Sequence, residues 1–154
     1  MTNKQSNVGW QPYDLDYYAQ ELVLKFRNAK DVLNESHKMR MTVAYGLERF
    51  WGEHLRLEKE KDKDKKKKAD YWSAVWNKLH EILKASGIDL PNDSVKSDQY
   101  DDQKRKEEET EKIKAMAKLI WKMNLDEQRI ALMILTQLCD SLVWWTQRYK
   151  TKGD

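Results

Sequence analysis

The apolar residues of this chain recur at steps of three and four positions, with polar residues between them, over most of its length. That period is typical of amphipathic α-helices, whose buried side chains return to one side about every 3.6 residues. No alternating strand pattern persists. The pattern therefore predicts an all-α protein, a compact bundle of about five helices in a single domain over 1–154.

Five segments carry such an apolar stripe. In chain order they cover about 14–33, 36–57, 70–86, 107–123 and 125–150. Local signals mark several of the ends: Pro12 with Asp14, Ser36 as an N-cap, Gly87 after the third helix, and the capping box Asn124-x-x-Glu127 before the last. Gly46 lies inside the apolar stripe of the second segment, where it predicts a close helix crossing.

Two polar segments interrupt this pattern. Residues 58–69 form a Lys-rich insertion that cannot be packed in a core, and we expect either a solvated linker or an extension of the next helix. Residues 87–106 form a polar loop that is acidic in its middle and has the composition of a mobile segment.

The adjacent residues Trp144 and Trp145 differ in their predicted surroundings. Helix neighbours point about 100° apart, so one packing face rarely holds both. Trp145 continues the apolar stripe of the last helix, whereas Trp144 falls in an arc with Met133 and Arg148. Arg148, one turn after Trp144, can lie over the indole and form a contact surface. The alternative is that another helix of the same domain covers Trp144.

A second arc carries positive charge. On the second predicted helix, Lys38, Tyr45, Arg49 and Arg56 fall within roughly 40° of one another, away from the apolar stripe. Such a row can follow a phosphate backbone while the tyrosine stacks or packs nearby. A solvated charged face is the alternative interpretation.

Composition narrows the class of protein. The chain is 36% charged and 40% hydrophobic with seven tryptophans, which indicates a globular protein. The net charge of +3 is only mildly basic, so attraction to nucleic acid depends on the placement of lysines and arginines. No signal sequence or membrane span is recognisable, and Cys139 is the single cysteine, so we expect a cytoplasmic protein without membrane contact.

Catalytic motifs are not recognisable. His37, His54 and His80 lack the spacing of a metal site, and no glycine-rich phosphate loop is present. Cys139 lies within a predicted helix without a recognisable base. We therefore expect no enzyme, no cofactor, no metal and no small-molecule substrate. The alternative is an enzyme whose active site would be recognised by a buried cluster of Asp, Glu or His side chains.

Two segments carry a resemblance to a known family. TVAYGLERFWGEHL (42–55) and ALMILTQLCDSLVWWTQRYK (131–150) resemble the small helical subunit of type III-B CRISPR effector complexes, the Cmr family. In that family a Gly-Leu pair opens an apolar helix, a Trp-containing helix follows, and the last helix ends in Trp-x-x-Arg-aromatic. The matching positions are Gly46-Leu47 with Phe50, Trp72 and Trp76 with Leu79, and finally Trp145, Arg148 and Tyr149.

The resemblance implies a non-catalytic subunit that stacks head to tail in a ribonucleoprotein and lines the channel for guide RNA and target RNA. Its partners would be these RNAs, other type III effector subunits and further copies of itself. Of the candidate phosphate contacts the resemblance supplies Arg148 alone. The helical projections add Lys38, Arg49, Arg56 and Lys150 for RNA, and Trp144, Met133 and Arg148 for a subunit interface.

Another interpretation stays open, a helical adaptor that binds a protein through Trp144, Met133 and Arg148 and has no affinity for nucleic acid. In that case the Lys-rich insertion serves solubility alone.

Overall fold

The computed structural model describes residues 14–150, in which there are six α-helices and no β-strand. The all-α prediction is confirmed, and the number of helices exceeds the expected five by one. The helices are α1 (Leu15–Phe26), α2 (Glu35–Thr42), α3 (Leu47–Glu58), α4 (Lys63–Ala85), α5 (Asp102–Trp121) and α6 (Leu125–Tyr149).

The first predicted helix ends earlier than its apolar stripe suggested. α1 stops at Phe26, and a 3₁₀ turn at Val32–Asn34 follows. Asp31 adopts a left-handed conformation with φ 60°, which an α-helix does not accommodate and which Asp tolerates better than most residues. Val32 and Leu33 are nevertheless buried. The 3₁₀ turn therefore places in the core the apolar side chains that the sequence pattern assigned to a helix. Pro12, the predicted start signal, lies outside the described residues.

Gly46 divides the second predicted helix in two. It has φ 101° and ψ 170°, values that leave the helical region and that glycine alone adopts readily. A Cβ at this position would meet nothing within 4 Å, so the predicted close helix crossing is wrong. The glycine is needed for its backbone conformation, which turns the chain between α2 and α3.

The Lys-rich insertion is largely a helix extension. α4 begins at Lys63, and the carboxylate of Asp62 caps it by accepting a hydrogen bond from Asp64 N at 2.9 Å. At the other end Gly87 has φ 83°, and Ile88 N donates to Leu83 O at 2.9 Å. That pattern is a Schellman motif, and it confirms the predicted role of Gly87.

The segment between α4 and α5 is irregular but anchored. Trp76 Nε1 donates to Pro91 O at 3.0 Å, and His80 Nδ1 lies 2.6 Å from Leu90 O. Ile88, Leu90 and Val95 are buried. Residues 102–106, predicted as loop, instead form the first turns of α5, because Asp101 caps that helix by accepting from Lys104 N at 2.9 Å.

The predicted capping box before the last helix is confirmed as a helix start, since Asn124 Oδ1 accepts from Asp126 N at 2.8 Å and from Glu127 N at 3.3 Å.

The short connection into α6 suggested antiparallel neighbours, but α5 packs against α3 instead of along α6. The other main contacts join α1 to α6, α3 to α4 and α2 to α6.

The start of α2 is buried and polar. Ser36, predicted as an N-cap, lies inside the helix, and Asn34 occupies the N-cap position. The Ser36 hydroxyl is 2.6 Å from Tyr71 Oη of α4 and 2.6 Å from Thr146 Oγ1 of α6. Three hydroxyls from three helices thus satisfy one another where water has no access.

We predict that Ser36→Ala lowers the free energy of unfolding by about 1–3 kcal/mol, because it leaves the hydroxyls of Tyr71 and Thr146 without their shared partner. Ser86→Ala, at an exposed helix end, is the control and should change stability by less than about 0.5 kcal/mol. Urea denaturation measures both. If both variants lost the same free energy of unfolding, the buried hydroxyl cluster would make no specific contribution to stability.

The same cluster predicts a loss of stability in alkali. Burial raises the pKa of the Tyr71 phenol well above its ordinary value, whereas a tyrosine in the unfolded chain ionises near pH 10. The stabilising contribution is therefore fully present below about pH 10 and falls as the pH rises further. Tyr71→Phe should reduce this alkaline loss in urea titrations across that range. Tyr100→Phe, at a fully exposed position, should leave the pH dependence unchanged.

Candidate nucleic-acid interface

Trp144 lies on the outer surface of α6. Its side chain is 47% exposed, and that of Met133 is 51% exposed. Arg148 lies over the Trp144 ring, with 3.4 Å between the guanidinium carbon and the ring centroid, and its Nη1 donates to Trp144 O at 3.0 Å. We call this side of α6, with exposed residues Met133, Gln137, Asp140, Trp144 and Arg148, the tryptophan face. None of the described helices covers Trp144.

Trp145 faces the interior, as its position in the apolar stripe predicts. It is partly buried and packs against the core, and its ring stacks on Tyr149 at a centroid distance of 5.5 Å and an interplanar angle of 5°. The Trp144 ring meets it edge-on at 4.7 Å. Of the two neighbouring tryptophans, Trp145 therefore packs against the core and Trp144 lies on the surface.

α2 runs antiparallel to the C-terminal half of α6. Its beginning lies at the end of α6, where Lys150 Nζ donates to Asn34 Oδ1 at 3.3 Å. Its later turn lies farther back along α6, where Arg40 Nε donates to Asp140 Oδ1 at 2.5 Å. Because Asp140 belongs to the tryptophan face, the exposed side of α2 continues directly into that face.

Basic side chains converge on the beginning of α2, around the buried carboxylate of Glu35. Lys38 Nζ lies 3.2 Å and Lys68 Nζ 3.9 Å from Glu35 Oε2. Lys150 reaches Asn34, the residue before Glu35. We call Lys38, Arg56, Lys68 and Lys150 the α2 basic cluster.

Arg56 joins this cluster from α3. Its Nε donates to Glu53 Oε2 at 2.7 Å, and this hydrogen bond is the main cause that raises the pKa of the guanidinium. The negative charges of Glu53, Glu35 and Glu60 raise it further. Arg56 therefore stays cationic, and Glu53 is its direct partner.

The basic row predicted along one continuous helix does not exist in that form. Lys38 lies on α2 and Arg49 with Arg56 on α3, and the break at Gly46 invalidates a projection across both. Arg49 and Arg56, seven residues apart, still share one side of α3. The Arg49 guanidinium carbon lies 5.8 Å from the centroid of the exposed Tyr45 ring, so these two residues form a second arginine–aromatic pair.

Sequence reasoning missed Glu35, Lys68 and Arg40. Lys68 stands one helical turn before Trp72, and the indole of Trp72 donates to Glu35 Oε1 at 2.9 Å. The spacing of Lys68 and Trp72 was visible in the sequence, since residues four apart on a helix are neighbours. No local signal indicates Glu35, whose partners on α4 are more than thirty positions away.

A separate polar cleft of about 280 Å³ lies between α3, α4 and the segment that follows Pro91. His54, Asp70, Asn77 and Lys96 are among its lining residues. His54 Nδ1 lies 2.5 Å from Trp51 O, so one ring nitrogen is engaged by the backbone. Cys139 is remote from this chemistry, because it is fully buried and burial raises the pKa of its thiol.

Residues 14–150 contain no group of three or more His, Cys, Asp or Glu side chains arranged to hold a metal ion. Within the same range, none of the helices combines the length and the apolar character needed to cross a bilayer.

No protein-family model matches the chain, and no curated protein and no solved structure is significantly similar to it.

The division between the two tryptophans predicts different effects of truncation. Trp145→Ala should lower the free energy of unfolding by about 3–5 kcal/mol, because it removes a ring packed against the core. Trp144→Ala should cost less than about 1 kcal/mol, since half of that side chain already contacts solvent. Chemical denaturation of both variants tests this. Equal destabilisation would place Trp144 in the core of the monomer.

Proposed function

We propose that the protein is a non-catalytic RNA-binding subunit that contacts the phosphate backbone through the surface around α2. The observation that carries this proposal is the convergence of three lysines of the α2 basic cluster, from α2, α4 and the end of α6, onto one helix start. The net charge of the chain is only +3, so attraction to RNA depends on local groups of cations such as these. Such local concentration attracts a polyanion even when the whole molecule is nearly neutral.

The composition of this surface favours backbone contact over base-specific recognition. Lysine ammonium groups and arginines bind phosphate oxygens without reading the bases. The exposed pairs Tyr45 with Arg49 and Trp144 with Arg148 add flat aromatic and guanidinium surfaces on which unpaired bases can stack. A subunit of this kind would hold RNA of any sequence.

The resemblance of segments 42–55 and 131–150 to the Cmr small subunit gives the proposal a biological setting. In that setting the chain stacks along the channel of a cytoplasmic type III CRISPR effector and contacts guide RNA and target RNA. Sequence would be read by guide–target pairing, which suits a subunit that recognises phosphates alone. Its protein partners would be other effector subunits and further copies of itself.

A second candidate is a protein-binding adaptor, favoured by the exposure of Trp144 and Met133 on one face of α6. Trp and Arg are enriched among the residues that dominate protein–protein binding energy. The adaptor would use the tryptophan face and leave the α2 basic cluster unoccupied. The two candidates therefore predict different sensitivities to salt and to charge reversal.

The RNA-binding proposal predicts a strong effect of reversing charge in the α2 basic cluster. The triple variant Lys38→Glu, Arg56→Glu and Lys150→Glu should bind single-stranded RNA at least about ten-fold more weakly at low salt. Its plot of log affinity against log salt should be shallower, by about 0.7 for each lost phosphate contact on a single strand. Fluorescence anisotropy over a range of salt concentrations measures both quantities.

The matched control is Lys104→Glu, Lys114→Glu and Lys118→Glu, which introduces the same charge change on the exposed side of α5. It should retain most of the affinity and nearly all of the salt dependence. If both triple variants lose affinity equally, binding reflects net charge and not the surface around α2. If the wild-type protein binds no RNA, the adaptor becomes the better account.

A further inference from the structure

We infer that Lys38 and Lys68 together form a two-point seat for a single phosphate group, held in place by the buried carboxylate of Glu35. The inference rests on the proposed function, and it assigns one particular contact within the α2 basic cluster. It also selects one residue, Lys68, from a lysine-rich segment in which sequence alone distinguishes none.

The geometry begins with Glu35, the first residue of α2. Its side chain is 1% exposed, which is rare for a carboxylate that lacks compensation. Trp72 Nε1 donates to Oε1 at 2.9 Å and fixes the orientation of the group. Oε2 accepts no hydrogen bond within residues 14–150, and its nearest compensation is the pair of ammonium groups.

The two lysines approach Oε2 from different helices. Lys38 comes from one turn farther along α2, and Lys68 comes from the first half of α4. With Nζ distances of 3.2 Å and 3.9 Å to the same oxygen, their ammonium groups are close enough for one phosphate to touch both. Flexible side chains that would otherwise sample many rotamers are thereby held together, which lowers the entropy cost of binding an anion between them.

Charge and exposure also favour a ligand at this place. Two ammonium groups face one carboxylate, so these three side chains together keep a net positive charge. The Lys38 side chain is 61% exposed and that of Lys68 19% exposed. Glu35 is 1% exposed, so it can orient both lysine side chains from inside the fold. We therefore treat Glu35 as a positioning residue, and the lysines as the phosphate contacts.

The other lysines of the segment offer a comparison within the same chain. Lys61 and Lys63 are exposed, and neither side chain makes an ion pair or a hydrogen bond with another described residue. They can attract a polyanion at a distance, but nothing holds them at a fixed separation. Among the described lysines of α4, Lys68 alone makes an ion pair with Glu35.

The test uses the full chain and a single-stranded oligouridylate as the probe, with the variants Lys38→Met, Lys68→Met and the double variant. Methionine keeps the length of the apolar stem and removes the charge. Thermal melting verifies that each variant is folded. Lys61→Met, Lys63→Met and their double variant are the matched controls, since they remove the same charge from the same region.

A shared phosphate has a specific signature in the salt dependence of binding. The Lys38→Met/Lys68→Met double variant should lose the slope of one phosphate contact, about 0.7 on a single strand, and about five-fold in affinity at 0.1 M salt. Each single variant should lose most of that amount, so the two effects are less than additive. The Lys61/Lys63 controls should keep the wild-type slope.

Three other outcomes would overturn the inference, and they are distinguishable. A slope loss near 1.4 in the double variant would mean that the lysines contact two separate phosphates. Equal behaviour of the seat variants and the Lys61/Lys63 controls, with RNA binding intact in the wild type, would remove the seat but leave the proposed function standing. Absence of RNA binding by the wild-type protein would reject the proposed function, and the seat with it.

To test Glu35 as a positioning residue, Glu35→Gln is compared in the wild-type and Lys38→Met/Lys68→Met backgrounds. If Glu35 acts through the lysines, the substitution weakens RNA binding in the first background and has little effect in the second. A gain in affinity in the wild-type background would mean that the carboxylate acts only by repelling phosphate. That result would overturn its positioning role.

Discussion

The structure depends on the burial of two polar residues, Glu35 and Ser36, at the start of α2. Burying a carboxylate and a hydroxyl is unfavourable unless each finds partners, and here the partners come from α4 and α6. Because Trp72, Tyr71 and Thr146 supply those partners, α2 can dock in only one position between the two long helices. A polar requirement, and not apolar packing alone, therefore fixes this short helix.

The proposed RNA-binding surface follows from that docking. With its first turn held, α2 directs Lys38 toward α4 and Arg40 toward α6, since residues two apart leave a helix on nearly opposite sides. One edge of α2 thus joins the lysines around Glu35, and the other edge joins the tryptophan face through Asp140. The buried Glu35 carboxylate is compensated by the ammonium groups of Lys38 and Lys68. Both lysines are partly exposed, so an external anion can still reach them.

Much of the fold was readable from the sequence, for identifiable reasons. The stripe of α6, the N-cap at Asn124 and the C-terminal role of Gly87 depend on neighbours a few positions away, and all three appear in the structure. The break at Gly46 was misread because a glycine within an apolar stripe serves close packing and a change of backbone direction equally well. The sequence pattern carries no information on φ, which decides between the two.

The candidate site was predictable in part. Trp144 with Arg148 was found because both lie on one helix, four positions apart. The grouping of Lys38 with Arg56 assumed a continuous helix, whereas the two residues lie on α2 and α3, on either side of the break at Gly46. Lys68 and Glu35 were missed because their proximity depends on how α2 docks against α4. Contacts between positions that are far apart in the chain are not visible in the periodicity of the sequence.

The central claim is that this chain works within an RNA-containing assembly. The most direct measurement is gentle purification of the tagged full-length protein from its native cells at moderate salt, with sequencing of bound short RNAs and mass spectrometry of bound proteins. The account predicts uniform repeat-derived guide RNAs together with several effector subunits. Recovery of a single protein partner without RNA would contradict it and would favour an adaptor that binds through the tryptophan face.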